Sequence, residues 1–300
     1  MKHNRYNLLL ALALFIAGNA AFSALLYAGM RRTYGLSKDA EVLILGHSHV
    51  MLALDAAMME KNLHLPISKY TREGVTVSER KLMAEQYLAE HTSGKLRTVI
   101  YGVDPYLFNS AGLSENSYVN FYPMLGDPII AQYLKRQMPR TEYCQQLLLP
   151  LCRYQDTTLY SGLAGWVRSN GASFKTGQVD LNRTRHEIAM GNFRKIQIQR
   201  ESLEIFRQTL RMFTDRGIRV ILLNTPIIDL YNRLEPDAHA EVEAIYRAAA
   251  DDPLVEYWDL NAEYERKYEL FRDPIHLNRQ GQAAITQAVI AKWHHEIGNY

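Results

Sequence analysis

A serine hydroxyl becomes a nucleophile when an imidazole takes its proton, and the imidazole keeps the right tautomer when a carboxylate orients it. The sequence offers these three groups in two places. Ser48 stands in Gly46-His47-Ser48-His49, directly after the apolar run Leu43-Ile44-Leu45, and Asp273-Pro274-Ile275-His276 lies near the C-terminus. Asp273 and His276, three apart on one turn, provide orienting acid and general base from a single loop. The chemistry would be attack on an acyl carbonyl, with Ser48 carrying the acyl group. Taken singly, Gly46-His47-Ser48 also reads as a plain strand-to-helix turn with Ser48 as cap, and Asp273 as a surface acid. His47 and His49 invite comparison with a metal site completed by Asp273 and His276. Alternate residues at a strand end point to opposite faces, however, so no metal is expected, and no cofactor.

The elements that must position these groups follow from hydrophobic patterning. Short apolar runs at Glu41–Leu45, Leu65–Tyr70, Arg97–Val103, Ile218–Leu223 and Val255–Leu260 read as buried strands. Helical periods at Val50–Asn62, at Val77–Glu90, from about Arg194 until Gly217 ends it, and at Gly281–His294 separate or follow them. Such alternation predicts a parallel sheet covered on both faces, with ligands bound beyond the carboxyl ends of its strands. Ser48, Gly74, the segment Gly102-Val103-Asp104, and the pair Asp273 and His276 all fall at such ends. The stretch of about 105–192 is too long for a connection and rich in aromatics, and it reads as an insertion subdomain or lid beside the site.

The first thirty residues carry only Lys2 and Arg5 as charges, so the other 32 basic side chains balance 32 acidic ones. A neutral domain argues against nucleic acid as a partner, because phosphate neutralisation needs a basic excess. Leu8 to Met30 is uncharged and flanked by Lys2, Arg5 and Arg31-Arg32, which is long enough to span a bilayer and longer than the apolar core of a cleaved signal. The expected layout is a cytoplasmic stub and transmembrane anchor over 1–32, single-pass in the cytoplasmic (inner) membrane. A catalytic domain follows over 33–300, on the periplasmic or extracellular side. Cys144 and Cys152 would form one bridge in an oxidising compartment or remain two half-buried thiols.

The order Gly-x-Ser, Gly, Gly-x-Asp and Asp-x-x-His-Leu-Asn-x-x-Gly resembles the SGNH/GDSL hydrolase superfamily. It is carried by Gly46-His47-Ser48, Glu73-Gly74, Gly102-Val103-Asp104 and Asp273 through Gly281, over about Glu41 to Ile297. The resemblance implies a flavodoxin-like three-layer α/β/α fold with a parallel sheet and a Ser48–His276–Asp273 triad. An oxyanion and substrate-binding region would then draw on Gly74, Asp104, Gly102, His47 and His49. His47 stands where the family has Asp, and Asp104 where it has an Asn that donates to the oxyanion. An ionised carboxylate cannot donate. Either Asp104 is protonated or turned away, or backbone N–H groups of Ser48 and Gly74 do the work. With the anchor, the chain is similar to the membrane-anchored bacterial envelope subset, including the teichoic-acid D-alanyl transfer protein and polysaccharide O-acetyltransferases. That subset implies ester hydrolysis or O-acyl transfer on exported polysaccharide or teichoic-acid-like polymer, beside a membrane O-acyltransferase partner. The alternative is a non-catalytic envelope assembly or polymer-binding protein of the same fold.

Overall fold

The computed structural model describes residues 2–109, 117–167 and 174–298. In chain order the elements are α1 (Lys2–Thr33), β1 (Val42–Gly46), α2 (Ser48–Ala53), α3 (Ala56–Leu63), β2 (Ile67–Thr71), α4 (Val77–Glu90) and β3 (Thr98–Val103). The insertion holds α5 (Pro128–Gln137), α6 (Arg140–Leu148), α7 (Asp156–Ala164) and α8 (Leu181–Ala189). Then come α9 (Arg200–Thr214), β4 (Arg219–Asn224), α10 (Asp229–Asn232), α11 (Pro236–Ala249), β5 (Val255–Asp259), α12 (Asn261–Tyr264), the β6–β7 hairpin (Phe271–Asp273, His276–Leu277) and α13 (Arg279–Glu296).

The five main strands pair in parallel in the order β2-β1-β3-β4-β5. Successive side chains of a strand point to opposite faces, and the core divides accordingly. Leu43, Leu45, Val99, Tyr101, Val220 and Leu222 pack with α4, α5, α9 and α11. Val42, Ile44, Ile100, Ile221 and Leu223 pack with α2, α3 and α13 on the other face. This is the three-layer α/β/α fold with an apolar N-terminal helix that the sequence predicts. The stretch expected as one helix over Val50–Asn62 is two, because Asp55 caps a new helix through the N–H of Met58.

The insertion is not a single lid. Phe121, Tyr122 and Met124 are fully buried in the core on the α4 face. Helix α7 instead crosses α1, where a Cβ on Gly29 would meet the Gly162 carbonyl oxygen at 1.9 Å and one on Gly165 the Gly29 carbonyl oxygen at 1.7 Å. Thr33 Oγ1 donates to the Ser161 carbonyl at 2.7 Å and Tyr154 OH to that of Ser23 at 2.8 Å. Ser23, Leu26 and Met30 are therefore buried, while the residues from Tyr6 to Phe22 stay almost wholly exposed. The last turns of the apolar segment thus belong to the folded domain. Cys144 and Cys152 are free and exposed, unlike either expectation for them.

Candidate active site

Strand β1 ends at Gly46, His47 caps α2, and Ser48 is the first residue of that helix. Two glycines let the helix lie this close to the sheet. A Cβ on Gly46 would approach Val50 Cγ1 to 2.6 Å, and a Cβ on Gly102 would approach Val50 Cβ equally closely, at 2.6 Å. Gly102 therefore acts as the seat of the helix that carries Ser48, through packing against Val50. Gly102→Ala should lift that turn and lower acyl-ester turnover about 10- to 100-fold, since roughly 1 Å of misplacement near a reacting group has costs of this order. Unchanged kcat in a correctly folded variant would contradict this.

The β6–β7 hairpin carries the other two groups. Asp273 Oδ1 accepts the backbone N–H groups of Ile275 (3.1 Å) and His276 (3.0 Å), which fixes the tight turn. Both carboxylate oxygens lie 3.0 Å from His276 Nδ1. With Nδ1–H donating to Asp273, the Nε2 lone pair faces Ser48 Oγ at 2.9 Å. Burial alone would raise the Asp273 carboxyl, but the His276 hydrogen bond and the two backbone donors outweigh it and hold its pKa below the usual value. Ser48 is 6% exposed and the His276 side chain 20%, so the pair is largely withdrawn from solvent.

The C-terminal part of the insertion braces this hairpin. Val179 N–H donates to the Phe271 carbonyl at 2.9 Å, and Asn278 Nδ2 to that of Gly177 at 3.0 Å. On the other side Lys175 pairs with Glu73 at 2.9 Å, beside Gly74. Gly74 itself occupies a left-handed turn (φ 73°) just after β2, at the same carboxyl end of the sheet as Ser48. Asn278 caps α13 by accepting from Gln280 and Gly281, and a Cβ on Gly281 would meet the Leu270 carbonyl oxygen at 2.2 Å.

Asp104, Gly102, His47 and His49 occupy places different from the substrate-facing ones expected. Asp104 is 1% exposed and turned inward. Its Oδ1 accepts Tyr106 N–H at 2.9 Å, and its Oδ2 lies 3.0 Å from His47 Nε2 and 3.5 Å from Arg80 Nη2. Burial would raise its pKa, yet His47 and Arg80 hold it far below the carboxylate range. It is an anion, and its partners explain why the position can be Asp. His47 Nδ1 accepts the His49 N–H at 3.3 Å, so Nε2 carries the proton that faces Asp104. Desolvation first, and then the Arg80 charge, push the His47 pKa down to about 4. His49 is buried with neither ring nitrogen hydrogen-bonded among the described residues, and its ring stands edge-on to His276 at 5.3 Å between centroids. Ligand atoms of His47, His49 and Asp104 lie within 4.8 Å of one another, as a metal site would need. The Arg80 guanidinium already supplies the cation there, so the donor set does not fit a metal ion.

Arg80 is the residue that motif reading missed. It shares the buried stripe of α4 with Val77, Ala84 and Tyr87, and its Nη1 donates to the Gly102 carbonyl at 2.7 Å. A charge on an apolar helical stripe demands a buried counter-charge, and that signal points to Asp104. Two buried neutral histidines also set a pH dependence. Their folded pKa values lie below the unfolded 6.5, so the unfolded chain takes up protons first as pH falls. Their contribution is complete above about pH 6.5 and is lost as pH drops toward 4. The urea midpoint should fall by an amount equivalent to a few kcal/mol over that window, and less in His49→Phe. Equal pH profiles for the two proteins would refute the assignment for His49.

No protein-family model matches the sequence, and no curated protein matches it. Among solved structures, a Bacteroides fragilis protein described as an acylhydrolase is similar at 10% identity and a TM-score of 0.41, covering 84% of this chain and 86% of its own. The lipase Lip_vut3 from a goat rumen metagenome is 12% identical with a TM-score of 0.40, over 83% of this chain and 95% of its own. Similarity this low says nothing of activity, and the functional reading rests on the geometry of the site.

Proposed function

We propose that this chain is a membrane-anchored serine esterase or O-acyltransferase working through an acyl-serine intermediate. The observation that carries the reading is the unbroken chain from Ser48 Oγ through His276 to Asp273, with spacings of 2.9 and 3.0 Å. As Ser48 Oγ bonds to the ester carbonyl carbon, its proton passes to His276 Nε2. The carbonyl oxygen takes the negative charge, facing the backbone N–H of Ser48 at the start of α2 and that of Gly74. Asp273 stabilises the imidazolium formed. Collapse breaks the bond to the leaving alcohol, which receives the proton from His276 and leaves acyl-Ser48. Water or a sugar hydroxyl then attacks, giving its proton to His276, and Ser48 is regenerated.

The substrates in this reading are acetyl or other short acyl esters on exported envelope polysaccharide or teichoic-acid-like polymer, with a membrane O-acyltransferase as partner. The long apolar α1 supports a membrane location, and the reading places it in the cytoplasmic membrane with the domain on the outer side. The burial of Ser23, Leu26 and Met30 in the fold favours its retention over cleavage. The departures at His47 and Asp104 would favour the non-catalytic alternative, but both residues have a place in the buried charge cluster beneath the site.

The test is capture of the intermediate. Brief incubation with p-nitrophenyl acetate, acid quench and peptide mass spectrometry should show one acetyl group on the peptide containing Ser48, and deacylation should quicken when a sugar acceptor replaces water. Acetylation elsewhere, or none during turnover, would overturn the mechanism.

A further inference from the structure

The exposed part of α1, Tyr6–Phe22, measures about 26 Å at ~1.5 Å per residue, close to the ~30 Å of a bilayer's hydrocarbon core. The domain meets the helix at Asn19, whose Oδ1 accepts the Leu151 N–H at 3.2 Å, and from Ser23 onward one face of the helix is packed into it, so the domain begins near the end of the hydrocarbon. At that level the insertion presents apolar side chains to the outside. Leu148 is 79% exposed at the end of α6, and Tyr160 (61%), Leu163 (51%) and Val167 (85%) lie along one side of α7 and the turn after it. From Thr157 to Val167 there is no charge.

The patch is continuous with the exposed surface of α1. Trp166 Nε1 donates to the Leu25 carbonyl at 3.2 Å, and Leu25 and Phe22 are themselves nearly half exposed. The Arg32 guanidinium lies 4.1 Å over the Trp166 ring, which joins an aromatic plate to a cation at this height, a combination suited to the headgroup region. Exposed apolar surface of this extent is unusual on a water-soluble face.

We propose that the α6–α7 segment is a second membrane contact, with Leu148, Tyr160, Leu163, Trp166 and Val167 seated in the outer interface of the bilayer that α1 crosses. The contact rests on the reading of α1 as a retained anchor. Two contacts, one spanning and one lying on the surface, fix the tilt of the domain and the height of Ser48 above the lipid.

Trp166 is a natural probe, because Trp258 and Trp293 are 2% and 3% exposed on the opposite face of the sheet. The full chain is reconstituted into phosphatidylcholine vesicles with ordinary or brominated acyl chains, and tryptophan emission is read beside vesicle flotation. Brominated lipid should remove the emission component that Trp166→Phe also removes, and Trp166→Phe protein should emit equally in both vesicles. Leu148→Asp with Leu163→Asp should restore the emission while the protein still floats through α1. Flotation without quenching overturns the second contact alone, and absence of flotation overturns the anchor and this contact together. Absence of quenching with disulfide cross-linking between copies at Cys144 or Cys152 would give the patch to a second copy instead.

Discussion

Ser48→Ala should lower turnover of p-nitrophenyl acetate by about 10⁴- to 10⁶-fold and end labelling by fluorophosphonate probes. The hydroxyl's hydrogen-bond partner is His276 Nε2, so its removal leaves the fold intact and the melting temperature within a degree or two of the parent. His276→Ala should cost about as much, and the double variant little more than either, because groups that act as one unit are strongly non-additive. Asp273→Asn keeps the shape but frees the imidazole to present the wrong nitrogen, with an expected loss near 10⁴-fold. The comparison that decides is Ser48→Ala against the parent in steady-state kinetics. Retained turnover with retained labelling would move the nucleophile elsewhere.

Asp104→Asn should destabilise the protein by about 3–5 kcal/mol, although it introduces the oxyanion-donating amide that the sequence resemblance leads one to expect there. The substitution removes the anion next to Arg80, a side chain only 2% exposed, and leaves that guanidinium buried without its counter-charge. A loss of this size is a large part of the stability of an ordinary domain. Activity should fall with it, since a side chain at 104 faces His47 and the Tyr106 amide. Pairing Asp104→Asn with Arg80→Met should recover much of the stability, because two neutral partners leave no orphaned charge. Urea denaturation of the four proteins measures this coupling directly. An Asp104→Asn protein as stable as the parent, with faster ester turnover, would place the carboxylate beside the reacting oxygen instead.

Strands β1, β3 and β4 were legible because each is a short β-branched or leucine-rich run ended by a glycine or a polar residue. Val77–Glu90 reads at its true bounds from the apolar face of Leu82, Met83, Tyr87 and Leu88, and a capping box of Thr76 and Glu79 fixes its start. Ser48, Asp273 and His276 were visible as residues at strand ends, a position that topology alone makes significant. What the buried cluster does was not visible. The roles of His47, Asp104 and Arg80 depend on which way three side chains turn, and on a partner from α4 that no local motif includes. The end of the membrane segment was hidden for another reason. Ser23, Leu26 and Met30 fall on one stripe at spacings of three and four, but in a run where nearly every residue is apolar such a stripe has no contrast.

The hairpin that carries Asp273 and His276 has a consequence for how the site is assembled. Base and orienting acid sit on one two-residue turn, and the same carboxylate that orients the ring also closes the turn. Their relation is local and survives any loosening of the domain as a whole. The long-range distance that remains to be set is the one from His276 to Ser48, two parts of the chain separated by 228 positions. The site is in effect a two-piece latch. Strain elsewhere in the fold can open it without detuning either piece, and it would then appear as a lower fraction of engaged enzyme at an unaltered imidazole basicity.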